Sequence, residues 1–213
     1  AWLLPAAIYV LTAALCAQVV LSRPGPAAEL RAAVEVEFSP RIEEYIREGT
    51  VSREQGEWLR LFVLPGTPHF LAIQSAGTLA AATLTMLAIS LVLWQLARSV
   101  LGRRIPYRKA LEVAGLTFVI GAVERVATAV LVIATGTIFA SPGPSLLLLG
   151  EKEGTAFLLL SSLNVFTFWQ IYAAASGLAA LTERDFPKVL VLLAALWVLW
   201  TLLGAAPLVV AGS

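Results

Sequence analysis

The sequence predicts an all-α, polytopic membrane protein in which five transmembrane helices form one integral membrane domain over residues 1–213. Hydrophobic residues make up 59% of the chain and charged residues only 14%, whereas soluble domains are about 25% charged and under half apolar. The apolar residues fall into runs that approach or exceed the roughly 20 residues needed to cross a bilayer. We predict spans at residues 1–21, 68–97, 107–136, 154–182 and 189–210, with an extramembrane helical loop at 22–67.

The first run, Ala1 to Leu21, is predicted to be a membrane span rather than a signal peptide. It is longer than the apolar core of a typical signal peptide and has no basic flank in this sequence. Trp2 and Tyr9 are predicted to anchor it at a membrane interface, where amphipathic aromatic rings prefer to lie.

The loop between the first two spans is predicted to hold two or three short amphipathic helices. Ser39 and Pro40 match a helix N-cap followed by proline at the first helical position, and Gly49 is placed to end that helix. Ser52 and Gln55 match a capping box that begins a further helix. Two interpretations stay open for this loop: its helices lie on the membrane surface or cap the bundle, or they form a solvated loop.

The second span carries small and hydroxyl-bearing residues at helical spacing, which suits close packing between membrane helices. They are Gln74, Thr78, Ala81 and Thr85. The basic loop that follows, Arg98–Lys109, contains no acidic residue and is predicted to be cytoplasmic by the positive-inside rule. The N-terminus and the turn Glu183–Lys188 are then also cytoplasmic, and the C-terminus lies outside. The long first loop has six Arg, but its eight Glu outnumber them.

The third span is exceptional because it places Glu124 and Arg125 near its middle. A charge at that depth costs roughly 3 kcal/mol on insertion scales, so such residues usually face a bundle interior or a wet cavity. Glu124 shares one helical stripe with Thr117, Gly121, Thr128 and Thr135. Arg125 lies about 100° from that stripe, so the two charges either reach different neighbours or Arg125 bends towards Glu124.

We predict a polar cluster inside the bundle, made by one group of side chains from three spans. Its members are Glu124, Arg125, Asn164, Gln170 and Thr85. The cluster has two interpretations: a site for a substrate, ion or lipid headgroup, or a polar network that fixes the register of the helices.

The residue types present in the sequence argue against an enzyme, a metal site and a bound cofactor. The single histidine, His69, cannot form the His pair of a metalloprotease, and the single cysteine, Cys16, excludes an intramolecular disulfide. The single aspartate, Asp185, lies in a loop, so an intramembrane aspartyl protease is excluded as well. The net charge of +1 gives no basic surplus for nucleic-acid binding.

The stretch Asn164 to Trp200, together with the basic loop and the sequence VSREQGEW in the first loop, resembles bacterial members of the Yip-type (Ypt/Rab-interacting protein) membrane family. The pattern is Asn164, Phe166 and Trp169, then Gly177, the charged turn Glu183–Lys188, and a last helix with Trp197 and Trp200. The resemblance implies five transmembrane helices with a cytoplasmic N-terminus. It transfers no catalytic residue.

The resemblance also implies a function. Some bacterial members resemble accessory subunits that sit beside ABC-type export permeases. We therefore expect a non-enzymatic accessory or scaffold subunit in a bacterial cytoplasmic (inner) membrane, serving a transport or membrane-trafficking machine. Its expected partners are membrane lipids and an ABC-type permease or other membrane complex, or a second copy in a homo-oligomer. The alternative is a small transporter, channel or lipid-moving protein that uses the cluster around Glu124. A quinone- or pigment-associated subunit ranks third, because the paired histidines that haem would need are missing.

Overall fold

The computed structural model describes residues 2–65, 67–149 and 155–211, and within them it contains eight α-helices, one 3₁₀ turn and no strand. The helices are α1 (Leu3–Leu21), α2 (Pro24–Arg47), α3 (Arg53–Val63), α4 (Pro68–Ser99), α5 (Tyr107–Thr135), α6 (Thr155–Ser162), α7 (Val165–Thr182) and α8 (Phe186–Ala211), with the 3₁₀ turn at Pro144–Leu148. Five of them, α1, α4, α5, α7 and α8, are long and apolar enough to cross a membrane. The predicted all-α bundle of five spans is confirmed.

Helix α5 lies at the centre of the bundle and packs against α1, α4 and α7, while α8 packs on the outer side of α7. Small residues make up much of the buried core and let the helix backbones approach closely. The most buried positions around α5 are Ala97, Ala110, Ala114, Ala175, Leu178 and Val189. The bundle is therefore organised around α5, the span that carries Glu124 and Arg125 near its middle.

The face of α4 that packs into the core differs from the predicted stripe. The buried residues of α4 follow steps of four, four, three and four, at Ala82, Met86, Ser90, Leu93 and Ala97. Gln74 and Thr78 lie half-buried on the extension of this face, but Ala81 and Thr85 are exposed. The predicted packing role of Ala81 and Thr85 is wrong. Neighbouring positions on a helix point about 100° apart, so an offset of one residue turns a side chain away from the core.

The two ends of the bundle are tied by different contacts. At one end, the predicted basic loop meets the turn between α7 and α8: Arg103 pairs with Glu183 at 2.9 Å, and the Arg184 guanidinium donates to the Leu101 carbonyl at 2.8 and 3.0 Å. At the other end, the Glu29 carboxylate accepts from the Thr137 hydroxyl and from the backbone N–H of Ile138. The predicted placement of the basic loop and the α7–α8 turn at the same end is confirmed.

The first loop folds into a hairpin of two helices, α2 and α3. The capping box of Ser52 and Gln55 is present at the start of α3, as predicted. The predicted helix start at Ser39 and Pro40 is wrong, because α2 continues through Pro40 without interruption. Pro40 is exposed. A proline within a helix removes one backbone hydrogen bond. Helix α2 keeps contacts on both sides of it, from Arg31 to the Pro65 carbonyl and from Ile42 to Gly56.

The fourth predicted span, residues 154–182, is not one helix. Its first residue lies outside the described residues, and the rest is divided into α6 and α7 by an interruption at Leu163 and Asn164. Asn164 has an extended backbone, and its side-chain oxygen accepts from the N–H of Phe166 to cap α7. The last span, α8, begins earlier than predicted, at Phe186. The third span, α5, ends as predicted at Gly136, which adopts the left-handed conformation with φ 75°.

A close approach between α5 and α7 at Gly177 can be tested by substitution. A Cβ atom at Gly177 would lie 2.9 Å from both γ-carbons of Val113, a β-branched side chain with little freedom to move. We expect Gly177→Ala to lower the melting temperature in detergent by about 5 °C, since overpacking costs about 1–3 kcal/mol.

Two further variants make this test specific. Val113→Ala combined with Gly177→Ala should recover most of the loss, because the clashing methyl groups are gone. Gly77→Ala is the matched control, since a Cβ there meets nothing within 4 Å, and its melting temperature should not fall. A Gly177→Ala protein as stable as the original would contradict the described packing of α5 on α7.

Candidate functional site

Glu124 and Arg125 lie about halfway along the stretch of α5 that α1 accompanies. Gly115 approaches Trp2 at the start of α1, and Gly25, just beyond the end of α1, approaches the carbonyl of Gly136. Helix α1 has 19 residues and is therefore about 28 Å long, close to the thickness of the hydrocarbon layer. Glu124 and Arg125 are thus near the middle of the membrane-spanning part of the bundle.

The Glu124 carboxylate is held by two side-chain amides of the fourth span. The Asn164 Nδ2 donates to Glu124 Oε1 at 2.5 Å, and the Gln170 Nε2 donates to Glu124 Oε2 at 3.3 Å. Asn164 is buried, while Glu124 and Gln170 are half-buried. The structure therefore brings together three of the predicted site residues, Glu124, Asn164 and Gln170.

Asn164 has two roles at this point of the bundle. Its Oδ1 caps the N-terminus of α7 and its Nδ2 binds Glu124, so one side chain links the interruption of the fourth span to the charge on α5. The N-terminal end of a helix carries a partial positive charge, which favours a nearby carboxylate. A half-helix that begins at mid-membrane depth, next to a charged group, also occurs in the discontinuous helices of secondary transporters.

Arg125 binds a different partner from Glu124, which is one of the two arrangements left open by the sequence. Its Nε and Nη2 donate to the Tyr9 hydroxyl at 3.2 and 2.9 Å, and its guanidinium lies 5.7 Å from the centre of the Tyr9 ring. The Tyr9 ring packs edge-on against Phe118 at 5.0 Å and beside Gly121. Two consecutive residues of α5 thus fasten two different helices, α7 through Glu124 and α1 through Arg125.

Thr85, the fifth predicted member, does not belong to the cluster. Its side chain is exposed and makes no hydrogen bond to any other described residue. The neighbouring residue Met86 occupies the buried face of α4 instead. The prediction for Thr85 was wrong for the same reason as for Ala81: the core-facing stripe of α4 is offset by one position.

Helices α1 and α7 both pack on α5, and each contacts α5 far more than it contacts the other. Side chains of all three helices meet at Gly121, where Tyr9 and Gln170 lie side by side. Of the polar residues at this place, Arg125 is exposed, while Glu124 and Gln170 are half-buried. A charged group is therefore accessible from outside the bundle at the depth where a membrane is apolar.

No protein-family model, no curated protein and no solved structure matches this chain. The resemblance to the Yip-type family stays a prediction, and the roles of the cluster rest on its own geometry.

Tyr9 is the one member of the site that the sequence did not indicate. It was predicted to be an interface anchor, but the structure places its hydroxyl at the depth of Arg125. A phenol within an apolar helix usually finds a hydrogen-bond partner when it is buried. The separation of 116 residues between Tyr9 and Arg125 leaves no local pattern that would have joined them.

The α2–α3 hairpin forms a second candidate surface, outside the membrane-spanning part of the bundle. A groove of about 540 Å³ runs along it, lined by Ala32, Glu35, Val36, Ser39, Arg60 and Leu64. Arg60 pairs with Glu43 through Nη2, but its Nε is buried and has no hydrogen-bond partner among the described residues. The groove therefore combines apolar and charged side chains on a surface outside the spans.

The contact between Glu124 and Asn164 can be tested by exchanging donor and acceptor. Asn164→Asp places a second carboxylate against Glu124 while keeping an oxygen that can cap α7. We expect the melting temperature in detergent to fall by about 5–10 °C, because two carboxylates repel each other and an amide donor is lost.

The combined variant Asn164→Asp with Glu124→Gln restores one amide and one carboxylate at the same place, so most of the loss should be recovered. Asn164→Ser keeps a hydroxyl that can cap α7 but has no amide to donate to Glu124. Its melting temperature should lie between those of the original protein and Asn164→Ala. Equal losses in the single and combined acidic variants would contradict the described hydrogen bond.

Proposed function

We propose that this protein is a non-enzymatic accessory or scaffold subunit, of the Yip type, that supports a transport or membrane-trafficking machine. One observation carries the proposal: the α2–α3 hairpin presents a groove outside the spans, lined by apolar side chains such as Val36 and Leu64 and by the charged residues Glu35 and Arg60. A surface that combines apolar and charged side chains suits a contact with another protein.

Exposed apolar side chains on the same hairpin support this proposal. Val36 is 79% exposed and Trp58 is 58% exposed, although each lies on a well-formed helix outside the spans. Large aromatic residues at a surface are frequent anchors of protein interfaces. The hairpin is also held against the bundle, because Arg31 donates to the Pro65 carbonyl and Glu29 binds residues that follow α5. Because the hairpin is already held in place, it loses little conformational freedom when it binds a partner.

A second candidate function is a small transporter, channel or lipid-moving protein. The observation that favours it is the interruption of the fourth span at Asn164, next to Glu124. Discontinuous helices at mid-membrane depth line the binding sites of several transporters. Both Glu124 oxygens already accept hydrogen bonds from amides of the same chain, which is why we place this function second.

We also propose a bacterial cytoplasmic membrane as the location, with the N-terminus and the basic loop on the cytoplasmic side. Cysteine labelling tests this orientation in a Cys16→Ala background. Thr50→Cys, in the exposed end of the hairpin, should react with a membrane-impermeant maleimide in intact cells, because the hairpin faces outward. Arg104→Cys, in the exposed basic loop, should react only after the cells are opened. The opposite pattern would invert the proposed topology.

The accessory function is tested by purification from native membranes in mild detergent, followed by mass spectrometry of the co-eluting proteins. The original protein should elute with another membrane protein in a fixed stoichiometry. Trp58→Ala, alone or with Val36→Ser, should reduce that co-elution by about tenfold, since truncating an exposed aromatic anchor typically costs 1–2 kcal/mol or more.

Trp200→Ala is the matched control, because Trp200 is also a tryptophan and is 77% exposed, but it lies on α8 far along the chain from the hairpin. Its co-elution should equal that of the original protein. Two outcomes would refute the hairpin as the partner surface: no protein co-elutes with the original protein, or co-elution is the same in all variants.

A further inference from the structure

We propose that the end of the bundle formed by the basic loop and the α7–α8 turn binds the headgroup of an anionic phospholipid, and that Arg98 and Arg104 hold its phosphate. We call this surface, residues 98–112 and 183–188, the basic end. The proposal goes beyond the accessory function and does not depend on it, because a lipid site requires only that the spans lie in a membrane.

The first argument is the excess of positive charge at the basic end. It carries seven basic and three acidic residues, which leaves a net charge of +4 however these groups pair. The loop at the other end of the bundle, residues 22–67, has the opposite balance, with six Arg and eight Glu. The excess is therefore local to one end. Its basic residues are Arg98, Arg103, Arg104, Arg108, Lys109, Arg184 and Lys188, and its acidic residues are Glu112, Glu183 and Asp185.

The second argument is that two arginines of the basic end have no acidic partner. Each of the three acidic side chains lies within 4 Å of some other basic residue of this surface. No carboxylate of the described residues lies that close to Arg98 or Arg104, and both arginines are exposed. A guanidinium carries five N–H donors and can bind two oxygens of one phosphate at once. Both arginines are therefore free to bind a phosphate.

Trp94 positions both of these arginines. The Arg98 guanidinium lies 5.6 Å from the centre of the Trp94 ring. The Trp94 Nε1 donates to the Ile105 carbonyl at 3.1 Å, and Ile105 is buried, which holds the backbone next to Arg104 against the end of α4. One indole thus contacts the first arginine directly and fixes the chain beside the second.

The third argument is depth, which favours a lipid over a soluble anion. Trp94 and Tyr107 pack edge-on with their ring centres 6.4 Å apart, near the adjoining ends of two spans. Such rings concentrate at the membrane interface, at the level of the headgroups. Arg98 lies one helical turn, or about 6 Å, beyond Trp94 towards the end of α4. Because the surface has a net positive charge, it attracts a lipid with a net negative charge more strongly than a zwitterionic one.

The test measures which lipids the purified full-length protein retains. The protein is incorporated into bilayers of equimolar phosphatidylcholine and phosphatidylglycerol, extracted in mild detergent, and analysed for bound lipid by mass spectrometry. Both lipids contain a phosphate, but only phosphatidylglycerol has a net negative charge. The original protein should retain phosphatidylglycerol over phosphatidylcholine by about tenfold, because each basic residue near a membrane surface strengthens the attraction to anionic lipid.

Three double variants make the test specific to this surface. Arg98→Gln with Arg104→Gln should lower the preference to about twofold. Arg98→Lys with Arg104→Lys keeps both charges but loses the planar fork, so it should retain about half of the original preference. Arg47→Gln with Arg53→Gln is the matched control, because it removes the same charge from two exposed arginines of the hairpin. Its preference should equal that of the original protein.

Equal retention of the two lipids by the original protein would overturn the proposal, and this comparison needs no substituted protein. An equal loss in both double Gln variants would assign the preference to the overall charge of the protein. Removal of the preference by millimolar inorganic phosphate at constant ionic strength would assign the surface to a soluble anion. Either of these results also overturns the proposal.

Discussion

The bundle depends on satisfying a carboxylate in apolar surroundings. Glu124 lies at mid-depth, where an unpaired charge would be costly, and the fourth span supplies two amides to bind it. The interruption of that span makes this possible, because Asn164 then stands at the start of α7 with an oxygen for the cap and a nitrogen for Glu124. The positive end of α7 is brought to the same place. The interruption of the fourth span thus places an amide donor beside Glu124, and the same Asn164 side chain caps α7.

Arg125 extends this organisation to the other side of α5. Because consecutive residues point about 100° apart on a helix, Glu124 and Arg125 reach two different neighbours and not one. Glu124 sets the position of α7 and Arg125 sets that of α1. Both helices are thereby held to α5 at the same depth, and their side chains meet beside Gly121.

The sequence predicts the architecture well, because the length of an apolar run is a sufficient signal for a membrane span. It also predicts local features: the capping box at Ser52 and Gln55 depends only on residues three apart. The association of Glu124 with Asn164 and Gln170 was predictable in outline, since polar groups in apolar spans seek one another. The interruption at Asn164 was not predicted, because the Glu124 carboxylate that Asn164 binds is 40 residues away in the sequence and leaves no local signal. The prediction for Thr85 was wrong because apolar residues occur on all faces of α4, so the hydrophobic periodicity says little about which face is buried.

The position of Tyr9 has a consequence for the order in which the bundle is assembled. Helix α1 packs chiefly on α5, and Ala13 is its only buried residue within the described part of the chain. Chains are synthesised and inserted from the N-terminus, so α1 enters the membrane two spans before its main partner exists. During that interval the Tyr9 hydroxyl has no Arg125 to bind. Helix α1 is therefore inserted before the residue that binds its Tyr9 hydroxyl, and the arrival of α5 completes that contact.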